Sequence, residues 1–267
     1  MWGIRLAEIG LTIYTPIMAK TESGRLYERV ADDLAAAIAA GRFDIGQRLP
    51  AERVLAQSYS VSRPTIREAL IALELDGLVE VRMGSGVYVV ARLPRGGKAS
   101  ETDIGPFELL ETRRAIEPEA CALAAVRVTD EELEELARLV AEMQEENGRD
   151  VVMSEDADRR FHLGIAEATQ NSGMVAVVKM LWDARARSPQ YQLMSAKALA
   201  AGVKPRIDEH AVILDALRAR DPEAARAAMR AHLTRVLEAL MQATEVHEIE
   251  QAQARIAAHR KKYAAIA

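Results

Sequence analysis

The stretch Leu49–Val89, LPAERVLAQSYSVSRPTIREALIALELDGLVEVRMGSGVYV, decides the fold of the first part of the chain. Pro50–Ser58 reads as a short helix. Ser62 then stands as an N-cap, and Pro64 is tolerated in the first turn because the amide it lacks would have no partner there. That helix runs to about Leu75 and ends at Asp76-Gly77. Leu78–Arg82 and Val87–Ala91 are rich in β-branched residues and joined by Met83-Gly84-Ser85-Gly86, a hairpin signal. Upstream, Leu26–Ala40 shows helical periodicity closed by Gly41. Three helices followed by a two-stranded hairpin is the layout of a winged helix-turn-helix.

Charge placement agrees with a surface that meets nucleic acid. Residues 20–92 hold ten Lys/Arg and ten Asp/Glu, so the unit is neutral as a whole. Residues 48–67, however, hold Arg48, Arg53, Arg63 and Arg67 against Glu52 alone, a local excess of three positive charges. Arg63 and Arg67 are four residues apart at the start of the third helix, so both can face one groove of DNA, where Arg reads guanine edges and also pairs with phosphate. Thr65 adds a hydroxyl for a phosphate or base edge, and Arg53, one helix back, is placed to grip the backbone. The glycines flanking Ser85, Gly84 and Gly86, allow the hairpin to approach DNA closely, with Arg82 beside it. The competing explanation is a solvated basic face on a small domain.

Beyond residue 102 every segment reads as helix, and this half is built around Asp158-Arg159-Arg160-Phe161-His162. Asp158 and His162 are four residues apart and share a helix face, the apolar one, with Phe161, Ile165 and Ala168. A carboxylate and an imidazole steered inward need partners, and two more histidines supply them. His210 stands eleven residues before Asp221 and His232 eleven after it. Asp221-Pro222-Glu223 is a helix start, with an N-cap, a first-turn proline and an acid near the positive end of the dipole. If Ile207–Arg220 and Pro222–Gln242 pair as an antiparallel hairpin, each histidine lies roughly 16 Å from the turn. The two then sit level, in apolar stripes of Ile207, His210, Leu214, Leu217 and of Met229, His232, Val236, Leu240. Any one of these histidines alone reads as a hydrogen-bonded core residue. Together with Asp158 they form an Asp/His/His/His set that suits a divalent metal ion, Zn2+ first, with Ni2+ or Mn2+ as alternatives.

The remaining segments complete a bundle. Asp103–Val126 is helical, and Thr129 with Glu132 makes a capping box opening a helix to about Asn147-Gly148. Ser154–Thr169, Gly173–Arg187 (after Asn171-Ser172) and Pro189–Ala200 follow. The fold class is therefore mainly α: an N-terminal winged helix-turn-helix plus a C-terminal all-α antiparallel helical bundle. The domains divide as an extension over 1–19, a DNA-binding unit over 20–92, a linker over 93–102, a helical ligand- and metal-binding domain over 103–243 and a helical tail over 244–267. Arg113 lies in the apolar stripe Leu109, Arg113, Ile116, Ala120, Leu123. A buried guanidinium needs an anion, either Glu117 or Glu111 within the chain or a ligand carboxylate held bidentately.

With 267 residues two domains are expected. The net charge of −5 gives no global signal for nucleic acid. The single cysteine, Cys121, excludes a disulfide framework and, set among alanines, reads as a small core residue in a reducing cytoplasm. No apolar run is long enough to cross a membrane. Met1–Ile17 carries Arg5 and Glu8 through its apolar part and lacks a small-residue cleavage site, so it reads as a disordered or weakly helical extension, with Met18 an alternative start.

Leu49–Val89 closely resembles the DNA-binding domain of GntR-family bacterial transcription regulators, in its Leu-Pro-x-Glu-Arg, Val-Ser-Arg, Arg-Glu-Ala-Leu and Gly-x-Gly runs. The resemblance implies that Arg53, Arg63, Arg67 and Gly84 touch operator DNA. ELLETRRAIEPEACALAA, DRRFH, AEATQN and DEHAVILDALRARDPEAARAAMRAHL resemble the ligand-binding domain of the FadR-type branch, called FCD, over about residues 104–240. Metal-containing members of that branch bind one ion through an Asp-x-x-x-His pair and two later histidines, which implies that role for Asp158, His162, His210 and His232. The same resemblance implies carboxylate recognition by Arg113 and a pocket position for Asn171.

The expectation is a cytoplasmic, homodimeric repressor that binds a palindromic double-stranded operator and is controlled by a small organic-acid effector at the metal. ALELDGLVEVRMGSGVYV looks most like hexuronate-responsive members, which points to a sugar acid. Two rivals stand beside it. One is a metalloenzyme acting on a small carboxylate through water activated at an open metal position, although no additional general base is evident. In the other, the metal is structural or is itself the sensed signal.

Overall fold

The computed structural model describes residues 25–82, 85–94, 104–148, 155–200, 202 and 206–244. They fall into two compact units, residues 25–94 and residues 104–244. The expected extension over 1–19, residues 95–102 of the linker, the tail beyond residue 244 and Met83 and Gly84 at the hairpin tip lie outside the described residues.

The first unit holds α1 (Leu26–Ala39), α2 (Glu52–Tyr59), α3 (Arg63–Leu75), β1 (Val79–Arg82) and β2 (Gly86–Val89). Tyr27, Val30, Leu34 and Ile38 recur at helical spacing along α1 and pack with Leu55, Tyr59, Ile66, Leu70 and Leu73 and with Val79, Val87 and Val89 of the sheet. Ser60 ends α2 in the left-handed region, at φ 56°. Two residues on, the Ser62 hydroxyl accepts the Thr65 amide at 3.2 Å and so caps α3. The strands pair antiparallel, Val79 opposite Val89 and Val81 opposite Val87, and Arg48 adds a bridge to Tyr88. The assigned ladder ends at Val89, short of the expected Ala91: the Val90 amide still meets its register partner, the Leu78 carbonyl, at 2.9 Å, but the Leu78 amide is spent on the Leu73 carbonyl at 3.0 Å. Gly86 has φ +126°, and a Cβ there would run into the Arg48 side chain, so this corner of the wing requires glycine.

The second unit is helical throughout its described residues: α4 (Pro106–Ala125), α5 (Asp130–Gly148), α6 (Glu155–Ala168), α7 (Ser172–Arg187), α8 (Pro189–Ala200), α9 (Asp208–Arg218) and α10 (Pro222–Ala243). α4 packs along α10 and against α6 and α7, α9 and α10 form the expected hairpin, and α5 covers α6 and α9. Leu136, Leu139, Met143, Phe161, Ile165, Leu214, Leu217, Met229 and Leu233 share its core. Local chemistry sets the starts. Thr129 and Glu132 close a reciprocal capping box at 2.8 and 3.2 Å, and Asp221 Oδ1 accepts the amides of Glu223 and Ala224, both at 3.0 Å. Among the described residues no helix is long and apolar enough to cross a membrane.

Asp221 is the cap from which α10 carries His232 inward. Asp221→Ala should cost about 1 kcal/mol, read as a lower urea midpoint for the second unit at unchanged slope; an unmoved midpoint would contradict the cap's role.

Candidate metal centre and nucleic-acid face

α6 buries Ala157, Phe161, Ile165 and Ala168, and Asp158 and His162 stand on that same face. The structure brings Asp158, His162, His210 and His232 together: one donor atom from each lies within 4.8 Å of the others, and all four residues are buried. The hairpin sets its two histidines level, with ring centroids 4.5 Å apart. The His162 ring lies 5.4 Å from that of His232 and 5.8 Å from that of His210. Metal bonds of about 2.0–2.2 Å space donors about 3–4 Å from one another, so the cluster is of a size to close on one ion. His162 Nε2 and His210 Nδ1 are buried without a hydrogen-bond partner. That state is costly, and coordination at His162 Nε2 would relieve part of it.

The imidazoles are held in turn by carboxylates. His162 Nδ1 is 2.5 Å from Glu117 Oε2, His232 Nδ1 is 2.9 Å from Glu209 Oε2 and His210 Nε2 is 3.0 Å from Asp158 Oδ1. Burial opposes ionisation of Asp158, but the adjoining His162 ring and the His210 hydrogen bond hold it well below the usual carboxylate range. Burial likewise opposes ionisation of Glu117, yet Arg113 and His162 bring it down to about 2. His232 is pushed down to about 4, chiefly by burial, so its ring is neutral at neutral pH and has a lone pair to offer. Burial lowers His162 too, but Glu117 and Asp158 on either side raise it. Two carboxylates that favour a proton at that position favour any other cation there.

Arg113 finds its internal anion in Glu117, with Nε 2.6 Å from Oε1 and one Nη 3.2 Å from Oε2, while Glu111 is exposed. Of its five N–H donors three remain, and its guanidinium lies 4.1 Å from the centre of the Trp182 ring. Sequence reasoning missed Trp182, Arg185 and Glu209. Arg185 is buried, donates to Asp158 Oδ2 at 3.2 Å and stands 4.6 Å from the Trp182 ring and 4.9 Å from the Tyr191 ring. A signal was present, since Val178, Trp182 and Arg185 recur at the helical spacing that singled out Arg113. Asn171 is exposed and caps α7, its Oδ1 accepting from Gly173 and Met174 at 3.0 and 3.2 Å; none of its hydrogen bonds reaches the cluster.

In the first unit Arg53 and Arg63 are exposed, and the half-buried Thr65 has its hydroxyl 2.8 Å from Ser62 Oγ. Arg67, expected beside Arg63 in one groove, is only 3% exposed. Its Nε donates to both Glu52 oxygens, at 3.1 and 2.9 Å, and an Arg63 Nη lies 3.6 Å from the same carboxylate. A four-residue spacing sets a shared face but not how much of that face a neighbouring helix covers, and here α2 covers Arg67. Arg82 is exposed, bonded to Glu80 at 2.9 and 2.7 Å and stacked 4.6 Å over Tyr88. Ser85 Oγ is 3.0 Å from the Tyr88 hydroxyl. Gly84 lies outside the described residues.

Comparison with known proteins adds to this geometry. Residues 26–89 match the family described as "Bacterial regulatory proteins, gntR family", and residues 108–235 match the "FCD domain". The chain is similar to the Exu regulon transcriptional regulator of Escherichia coli K12, 38% identical over 221 residues, 81% of this chain and 84% of that one. It is also similar to the Uxu operon regulator of Haemophilus influenzae, 34% identical over 231 residues, 84% of this chain and 85% of that one. Among solved structures, Streptococcus agalactiae GntR aligns at 27% identity and a TM-score of 0.42, covering 79% of this chain and 99% of that one.

The Arg67–Glu52 pair separates two variants. Arg67→Ala should lower the stability of the first unit by about 3 kcal/mol, because it removes the guanidinium facing a largely buried carboxylate. Arg53→Ala, at an exposed position, should stay within about 0.5 kcal/mol of the parent. Urea unfolding of the first unit measures both, and equal midpoints would contradict the difference.

Proposed function

From the premise that this chain belongs to the gntR family of bacterial regulatory proteins and carries an FCD domain, we propose that it is a homodimeric, cytoplasmic repressor whose affinity for a palindromic operator is set by a hexuronate-type sugar acid at a metal centre. It is a transcriptional regulator of the GntR/FCD type. The relatives that it matches are named as regulators rather than enzymes, which removes the metalloenzyme rival.

The observation that carries the effector reading is the buried meeting of Asp158, His162, His210 and His232. A divalent ion, Zn2+ first and Ni2+ or Mn2+ otherwise, would be held by these four and would offer a small acid its remaining coordination positions. Arg113, with three N–H donors beyond those on Glu117, stands ready for the acid's second anionic or hydroxyl group. The choice of a hexuronate rests on the relatives, named for Exu and Uxu control. On DNA, the exposed Arg53, Arg63 and Arg82 would take phosphates and base edges, with Thr65 and Ser85 beside them and Gly84 as the further contact that the family resemblance implies. Arg67, anchored on Glu52, would hold α3 at its angle to α2 and so position the DNA-facing side chains. The effector acts only by preferring one of two arrangements of the dimer, and a tenfold loss of operator affinity needs about 1.4 kcal/mol of such preference.

Two measurements test this. The Zn2+-loaded full chain should show a thermal midpoint that rises with the concentration of D-glucuronate or D-galacturonate, and the same acids should weaken binding to operator DNA selected from a random duplex pool by tenfold or more. His210→Ala should stay folded, lose its zinc and respond to neither acid. A full zinc complement in that variant, or a parent chain indifferent to both acids, would contradict the proposal.

A further inference from the structure

The imidazoles of His162 and His232 share an arrangement that His210 lacks. Each turns Nδ1 to a buried glutamate from another helix: His162 on α6 to Glu117 on α4, and His232 on α10 to Glu209 on α9. A neutral imidazole exists as two tautomers, and only the unprotonated nitrogen can ligate. A carboxylate at Nδ1 keeps the proton there and leaves the lone pair on Nε2. We propose that Glu117 and Glu209 are the positioning residues of the metal centre, fixing the tautomer and ring angle that turn Nε2 of His162 and His232 toward the ion. The inference rests on the metal reading above and adds residues that it did not include.

Three details support it. His162 Nε2 has no hydrogen bond and lies 3.5 Å from Asp158 Oδ1, another member of the donor set. The two glutamates are themselves anchored, Glu117 by Arg113 at 2.6 Å and Glu209 by Arg235, so neither carboxylate is free to swing from its ring. His210 has no glutamate: its Nε2 meets Asp158 at 3.0 Å and its Nδ1 meets nothing. The anchors also differ in kind. Arg113 is buried while Arg235 is half exposed, so Glu117 alone links a metal ligand to the guanidinium proposed for the acid.

The test uses the full chain with Zn2+ alone, its affinity read by competition with a fluorescent chelator. Glu117→Ala and Glu209→Ala should each raise the Zn2+ Kd about 10- to 100-fold, the glutamine variants should recover much of that loss because an acceptor oxygen returns, and Glu119→Gln on the outer side of α4 should leave the Kd unchanged. Nitrogen-15 spectra of histidine-labelled, Zn2+-loaded parent protein need no variant and should show two rings protonated at Nδ1 and metal-bound at Nε2. Alanine variants with the parental Kd, or His162 and His232 bound through Nδ1, would overturn the positioning role while leaving the metal centre standing. A parent chain that takes up no Zn2+ would overturn both.

Discussion

The second unit depends on burying an aspartate and three histidines at one point. Polar and charged groups leave water at a cost of several kcal/mol unless each atom finds a partner. The bundle meets most of that demand through ion pairs and hydrogen bonds, and leaves His162 Nε2 and His210 Nδ1 over. Asp158 lies among His162, His210 and Arg185, Glu117 between His162 and Arg113, and Glu209 between His232 and Arg235. These residues come from α4, α6, α7, α9 and α10, so five helices are referred to one centre. Asp158 and Glu117 face the buried guanidiniums of Arg185 and Arg113, whereas Glu209 meets Arg235 and Arg206 at the surface.

The first unit solves a smaller version of the same problem. Glu52 and Arg67 pair across α2 and α3 where both are largely out of water. A paired buried charge is tolerated only in a narrow geometry, so this contact constrains the angle between the two helices. Arg53, Arg63 and Arg82 stay on the surface, Arg63 with one Nη 3.6 Å from the same Glu52 carboxylate. Division of labour among arginines of one short segment therefore follows from which of them a neighbouring helix covers.

Much of this was legible in the chain. The helix starts at Ser62, Thr129, Asn171 and Asp221 rest on local side-chain-to-backbone bonds, which a window of four residues contains. The meeting of His210 with His232 followed from equal distances to one turn, and Asp158 with His162 from one helical turn. What escaped notice needed tertiary information. Glu209 stands beside His210 in sequence, yet its partner is His232 on the next helix. Arg185 sits on a stripe readable by the rule that found Arg113, but its partner Asp158 is 27 residues away. Arg67 was assigned by periodicity to an open face that α2 occupies. Asn171, a pocket position by likeness to a family, caps α7 through its local bonds.

X-ray absorption at the zinc edge of the Zn2+-loaded, dialysed full chain addresses the buried centre most directly. One zinc per chain, with a first shell of nitrogen and oxygen at about 2.0–2.2 Å and outer-shell scattering from three imidazoles, is the predicted result. Zinc lost on dialysis, or a shell with fewer than three imidazoles, would contradict the convergence of these four side chains on one ion.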